Sequence, residues 1–143
     1  MADTKTSGGI RCVIVTPETT GLDTQCRSVS LPLFDGSRGV ARGHAPFIGR
    51  LGAGEVRVAG EQGGSADAVR GVFVEGGFVE VSHDTVTVIT QRAIPAEKID
   101  AAAARAELEK VTSARATGDE ALAARQKAAD AARALVRVAG RGR

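Results

Sequence analysis

The residue types that could carry chemistry are concentrated in one glycine-rich segment, residues 35–48. It contains three glycines, two arginines and a histidine, and Gly43 leads directly into His44-Ala45-Pro46. Glycine-rich loops can cradle phosphate, but the phosphate-binding loop has a lysine after its last glycine and then a helix, and this segment shows neither. No acid, nucleophile or second metal ligand is spaced to cooperate with His44, which argues against catalysis. The segment is therefore predicted to be a contact loop.

The tip of this loop is predicted to contact a partner. Its glycines and proline favour tight turns, which give a loop a fixed shape on a rigid scaffold. Ser37, Arg38 and Gly39 are predicted to lie at the tip, where an arginine can donate hydrogen bonds to polar groups of another protein. The alternative is an arginine that is only solvated.

A turn made of Gly43, His44, Ala45 and Pro46 is predicted to return the chain to the scaffold. A histidine between a glycine and Ala-Pro can hold such a turn through its ring nitrogens, so we interpret His44 as structural. Further along the chain, His83 and Asp84 are predicted to form a hairpin turn.

The composition is that of an ordinary globular domain. Apolar residues make up 43% of the 143 residues, and the net charge of +2 is too small to indicate a nucleic-acid binder. Cys12 and Cys26 lack the spacing of a metal or redox motif and are predicted to be reduced, on neighbouring strands. No apolar run approaches the roughly 18 residues that span a bilayer. We therefore expect membrane attachment only through other proteins, and no metal or cofactor.

Glycine and alanine divide the chain into two parts. Fifteen of the 18 glycines precede residue 96, whereas 17 of the 44 residues from 96 to 139 are alanine. Short Val-rich segments separated by turns predict strands, and the alanine-rich, charged part predicts helices. The predicted fold is mainly β plus α: a flexible tail (1–9), an antiparallel β-sandwich (10–94), an antiparallel two-helix hairpin (95–139) and a frayed tail (140–143).

The predicted hairpin has a thin apolar face. Its first helix is expected from Ala96 to about Ala114, and its second from a cap at Thr117 or Asp119 to about Val138. Because one alanine methyl contributes only on the order of 1 kcal/mol on burial, the hairpin is predicted to be loosely held and able to detach. The alternative is a fixed hairpin of modest stability.

The order of these features resembles the epsilon subunit of the F-type ATP synthase over about residues 10–138. The matching motifs are Val15-Thr16-Pro17-Glu18, Gly36-x-x-Gly39-x-x-x-Gly43-His44-Ala45-Pro46, Gly54-Glu55-Val56-Arg57, Gly76-Gly77-Phe78-Val79-Glu80-Val81 followed by Val86-Thr87-Val88-Ile89, and Ile99-Asp100. Arg42 and Ala53 stand where the family has prolines, so the turn after Arg42 is expected to be less rigid.

This resemblance implies a non-catalytic subunit of the rotating central stalk. The sandwich is expected to bind the gamma subunit and to rest on the c-ring through the loop at Ser37, Arg38 and Gly39. The hairpin is expected to reach the alpha/beta catalytic head in an extended state and to inhibit ATP hydrolysis. The expected location is the cytoplasmic face of the bacterial plasma membrane, as a peripheral protein.

Two features of the helices bear on regulation. Arg125, Arg133 and Arg137 are predicted to form a basic face that meets acidic groups of the head; the alternative is a solvated face that complements the helix dipole.

Ile99 and Asp100 match the family's nucleotide motif, but Ala103 replaces its arginine. Arg105 lies two residues later, about 200° around the helix. This degraded motif predicts weak or absent ATP binding.

Two other functions are less consistent with the sequence. A free-standing β-sandwich binding module with a basic helical tail would need aromatic residues interleaved with Lys and Arg to contact nucleic acid, and these are missing. A small hydrolase would need a nucleophile, a base and a residue to orient them.

Overall fold

The computed structural model describes residues 9–141 as a β-sandwich followed by two helices, as predicted. Within that range the strands are β1 (Ile10–Val15), β2 (Thr20–Cys26), β3 (Ser28–Leu33), β4 (Gly36–Ala41), β5 (Phe47–Ala59), β6 (Val69–Ser82), β7 (Thr85–Ile89) and β8 (Ala93–Pro95). A 3-10 helix, Ala96–Lys98, leads into α1 (Ala101–Ser113) and α2 (Asp119–Ala139). The predicted N-terminal tail lies outside the described residues, except for Gly9.

The strands form one continuous sheet that folds over into two layers. Its order is β2-β1-β7-β6-β5-β3-β4, and β8 also pairs with β6. The long strands β5 and β6 pair with each other along their whole length and take part in both layers. Residues 78–82 of β6 pair with β7, whereas residues 72–74 pair with β8. One layer contains β2, β1 and β7, and the other contains β3, β4 and β8. Among the described strands, the sheet differs from the predicted antiparallel arrangement at one pair, because β1 and β7 are parallel.

The double glycine lies where β6 passes from one layer to the other. Gly76 and Gly77 have φ angles of +72° and +107°, a region that favours glycine. A Cβ atom on Gly77 would collide with the carbonyl oxygen of Ile89 on β7. The close approach of the two backbones therefore requires glycine at position 77.

Alternate strand residues fill the space between the layers. On β6, Val79 and Val81 are buried while Phe78 and Glu80 point outward, which is the period of two that a strand imposes. Val86 and Val88 of β7 repeat the pattern. The core is therefore built from aliphatic, mostly β-branched side chains, as the low aromatic content requires.

The two cysteines lie in this core on neighbouring strands, and both are free thiols, as predicted. Burial raises the pKa of Cys12 to about 12 and that of Cys26 to about 11. Both groups stay protonated at neutral pH, which suits a packing role rather than a nucleophilic one.

A second core lies on the outer face of the β3–β4–β8 layer, beneath the helices. Phe73 of β6 is fully buried there, whereas its neighbours Val72 and Val74 face the sandwich core. Phe73 forms one cluster with Ala134, Leu135 and Val138 of α2, and with Ala104 of α1. The buried face of the hairpin is rich in alanine, as predicted, but Leu135 and Val138 give it larger contacts.

The helices end within one residue of the predicted positions, but their beginnings differ from the prediction. The first helix begins at Ala101, not Ala96, because the side chain of Asp100 accepts the backbone N–H groups of Ala102 and Ala103 at 3.0 and 3.2 Å and so caps it there. Gly118 holds the N-cap position of α2, so the predicted cap at Thr117 or Asp119 is wrong.

None of the helices in residues 9–141 combines the length and apolar character needed to cross a membrane.

Candidate docking site

The glycine-rich segment forms a β-hairpin whose turn lies earlier than predicted. Leu33 pairs with Gly36, so Phe34 and Asp35 make the turn, and Gly36 has a φ of +138°. Ser37, Arg38 and Gly39 therefore lie within strand β4, not at a loop tip. The predicted position of these residues is wrong because backbone pairing with β3 continues to the end of the hairpin. In the described part of the chain β4 pairs only with β3, so it is an edge strand.

An open groove of about 340 Å³ lies beside this turn. Phe34 and Ile48 border it and are exposed by 69% and 76%, unusually high values for large apolar side chains. The guanidinium carbon of Arg38 lies 4.8 Å from the centre of the Phe47 ring, and that of Arg50 lies 4.8 Å from the centre of the Phe34 ring. Such cation–π contacts orient the two arginines along the groove. The predicted contact residue Arg38 thus borders a groove of mixed polar and apolar lining that the sequence did not reveal.

The exposed apolar surface continues across the neighbouring strands. Arg50 pairs with Phe78 on β6, and Phe78 pairs with Ile89 on β7; Phe78 and Ile89 are each 56% exposed. A second groove, of about 330 Å³, is lined by Phe78 and Ile89 together with Val15 and Pro17. We call the residues Phe34, Ile48, Phe78 and Ile89 the docking row. Apolar residues at outward positions of β6 and β7 were the sequence signal for this surface.

The turn at Gly43, His44, Ala45 and Pro46 is fixed mainly by a residue from another part of the chain. The N–H of Gly43 donates to Oδ1 of Asp84 at 2.7 Å. Asp84 lies in the turn between β6 and β7, where His83 and Asp84 have φ angles of 52° and 55°. The Nδ1 of His44 donates to the carbonyl oxygen of Ala45 at 2.7 Å, and its ring lies 5.3 Å from that of Phe47. Sequence reasoning identified both turns but not the bond between them.

Replacing Asp84 with alanine is expected to lower the free energy of unfolding by about 2 kcal/mol. The change removes a charged acceptor and places alanine in a left-handed conformation. Asp84→Asn is the matched control, because asparagine keeps an acceptor oxygen and tolerates this conformation; it should lose less than about 0.5 kcal/mol. Chemical denaturation followed by circular dichroism measures both. Equal stability of Asp84→Ala and the unchanged protein would contradict the role assigned to Asp84.

The three arginines predicted to form a basic face on α2 are in different environments. Arg125 is half-buried and donates to the carbonyl oxygen of Thr112 at 2.8 Å, which joins α2 to the end of α1. Arg133 pairs with Asp130 at 3.3 Å, and Arg137 is exposed in the last turn. Arg125 thus serves the hairpin itself, and a continuous face of three available arginines is not formed.

The residues of the degraded nucleotide motif make separate contacts. Ile99 packs against the second core, and Oδ1 of Asp100 accepts the two N–H groups that it caps on α1. Arg105 is exposed on α1, and within residues 9–141 no hydrogen bond or ion pair joins it to Asp100.

The described residues also contain no group of three or more His, Cys, Asp or Glu side chains that could hold a metal ion.

A β-sandwich with an exposed apolar row and an appended helical hairpin defines a docking subunit. Comparisons with known proteins give its family. The profile of the ATP synthase Delta/Epsilon chain, beta-sandwich domain, matches residues 9–96. The chain belongs to the family of ATP synthase epsilon chains, which are stalk subunits of the complex rather than its catalytic ones.

Individual relatives support this assignment. The ATP synthase epsilon chain of Rhodopirellula baltica is 50% identical over 91 residues, covering 64% of this chain and 67% of that one. The sodium ion specific epsilon chain of Propionigenium modestum is 33% identical over 128 residues, covering 88% and 90%. A chain of the Euglena gracilis mitochondrial ATP synthase has the same fold, with a TM-score of 0.77 at 20% identity over 94% of this chain and 83% of that one. The alternative of a free-standing binding module is not favoured.

Proposed function

We propose that this chain couples the gamma subunit to the c-ring through its docking row. The observation that carries the proposal is where the exposed apolar side chains lie. Six large apolar side chains in residues 9–141 are markedly exposed, and four of them form this row; the other two are Val69 and Leu122. Monomeric surfaces rarely concentrate apolar residues in this way unless a partner covers them.

The two ends of the row suit different partners. The groove at Phe34 and Ile48 lies at the end of the β3–β4 hairpin beside Arg38 and is assigned to the c-ring. The groove around Phe78 and Ile89 spans three strands and is assigned to gamma. The Euglena neighbour comes from an assembly that includes a c-ring, and a Tetrahymena thermophila neighbour comes from a central stalk with its c-ring, which supports the c-ring as a partner. By this assignment the protein attaches to the membrane through the complex, at the cytoplasmic face.

Charge substitutions in the docking row test this assignment. Ile89→Glu is expected to weaken binding to purified gamma at least about tenfold, because an interface centre that loses an apolar contact and gains a buried charge is strongly destabilised. Phe34→Glu should leave gamma binding unchanged and reduce co-purification with the c-ring. Val69→Glu is the control, since Val69 is also exposed but lies outside the row. If Ile89→Glu binds gamma as well as Val69→Glu does, the assignment is wrong.

The hairpin is proposed to regulate ATP hydrolysis by extending toward the alpha/beta head. Acidic residues Asp119 and Glu120 begin α2, and the exposed Arg133 and Arg137 lie near its end, so the helix is polarised along its length. Attraction between the arginine end and acidic groups of the head would favour the extended state. Since Ala103 replaces the arginine of the nucleotide motif, ATP is not expected to hold the hairpin closed.

A further inference from the structure

One ion pair joins the end of the hairpin to the sandwich. Nη1 of Arg141 lies 2.7 Å from Oε1 of Glu55, 86 residues earlier in the chain. The side chain of Glu55 is only 1% exposed, whereas that of Arg141 is 36% exposed. Arg141 falls in the predicted frayed tail, yet it is held by this pair and by a backbone bond from its N–H to the carbonyl oxygen of Val138; residues 142–143 lie outside the described part.

The position of Glu55 follows from the alternation of β5. Val56 and Val58 face the sandwich core, whereas Glu55 points to the opposite face, which α2 covers. A carboxylate under a helix loses its hydration and requires a compensating charge. Arg141 supplies one such charge from just beyond the C-terminus of α2, where the helix dipole also favours a cation.

The pair matters because the apolar contacts of α2 are mostly small. Four of the six buried side chains on α2 are alanine, and only Leu135 and Val138 are larger. Each alanine methyl contributes little on burial. A second charged contact between hairpin and sheet, Arg92 with Glu107 at 3.7 Å, is about 40% exposed on both sides, and exposed pairs contribute little.

We propose that the Glu55–Arg141 pair is the electrostatic lock that keeps the C-terminal end of the hairpin closed on the sandwich. The inference rests on the proposed mobility of the hairpin. Releasing α2 separates the two groups by moving Arg141 with the helix while Glu55 stays on β5. A partner that offers Arg141 another carboxylate therefore competes directly with the closed state.

Hydrogen exchange of the full chain tests the lock. Arg141→Ala is expected to speed exchange of the α2 amides from 131 to 138 by roughly tenfold or more, because the buried carboxylate loses this cation. Arg137→Ala is the matched control: it removes an exposed arginine from the same end of the helix and should change exchange less than about twofold. Slow exchange at Val86 and Val88 verifies that the sandwich stays folded.

A double variant separates the ion pair from a general loss of packing. Glu55→Met combined with Arg141→Met removes both charges and is expected to restore slow exchange, because an apolar pair carries no desolvation cost. Equal exchange in Arg141→Ala and Arg137→Ala would overturn the lock, and so would a double variant that exchanges faster than Arg141→Ala. Because these readouts use the chain alone, they remain decisive even if the hairpin proves not to inhibit hydrolysis in the complex.

Discussion

Replacing Gly77 with alanine is expected to lower the free energy of unfolding by at least about 3 kcal/mol. Gly77 has a φ of +107°, which costs a residue with a Cβ about 1–2 kcal/mol. The new methyl would also collide with the carbonyl oxygen of Ile89, and that atom belongs to backbone, which cannot rotate away as a side chain can. Separation of β6 from β7 would then open the sandwich core.

Thermal denaturation followed by circular dichroism measures this effect, with an expected fall in Tm of roughly 10 °C. Gly39→Ala is the control, because Gly39 lies on the edge strand β4, where an added methyl would meet no atom within 4 Å. It should change Tm by no more than about 2 °C. A Gly77→Ala protein as stable as Gly39→Ala would show that the strands can separate locally without disturbing the core.

Replacing Phe73 with alanine is expected to cost about 3–5 kcal/mol, the usual loss for a fully buried phenylalanine. Phe73 is 0% exposed and is the largest side chain of the core between the sheet and the helices. The alanine-rich helices cannot refill the space, so the loss should fall mainly on hairpin docking. Hydrogen exchange of α2 should therefore rise more than that of the sandwich strands.

The matched control is another phenylalanine of the same strand. Phe78 is 56% exposed, and Phe78→Ala should alter the stability of the isolated chain by less than about 1 kcal/mol. The two variants are compared by urea denaturation. If Phe73→Ala is no less stable than Phe78→Ala, the second core does not hold the hairpin. Phe78→Ala is expected instead to weaken gamma binding, because Phe78 belongs to the docking row.

Hairpin deletion addresses the regulatory proposal at the level of the complex. Removing the chain from Ala96 onward should raise ATP hydrolysis, because an extended hairpin would no longer block the head. Unchanged hydrolysis under both ATP-rich and ATP-poor conditions would remove the inhibitory role. The deletion also exposes Phe73, so assembly with gamma must be verified first.

Local patterns were sufficient to predict the two-part architecture. Glycine-separated Val-rich segments specify strands, and the alanine-rich part specifies helices, because both signals act over a few residues. The position of the hairpin turn was missed by a few residues, since the pairing of β3 with β4 determines it and the glycines alone do not.

The sequence by itself determined the class of fold, the family motifs and the absence of a recognisable catalytic set. Only the tertiary structure decided which groups meet: the N–H of Gly43 with Asp84, Arg50 with Phe34, and Glu55 with Arg141. These contacts join residues that lie far apart in the chain, up to 86 positions for the last pair. Composition and periodicity describe only neighbours along the chain, whereas the folding of the sheet into two layers brings distant strands and helix ends together.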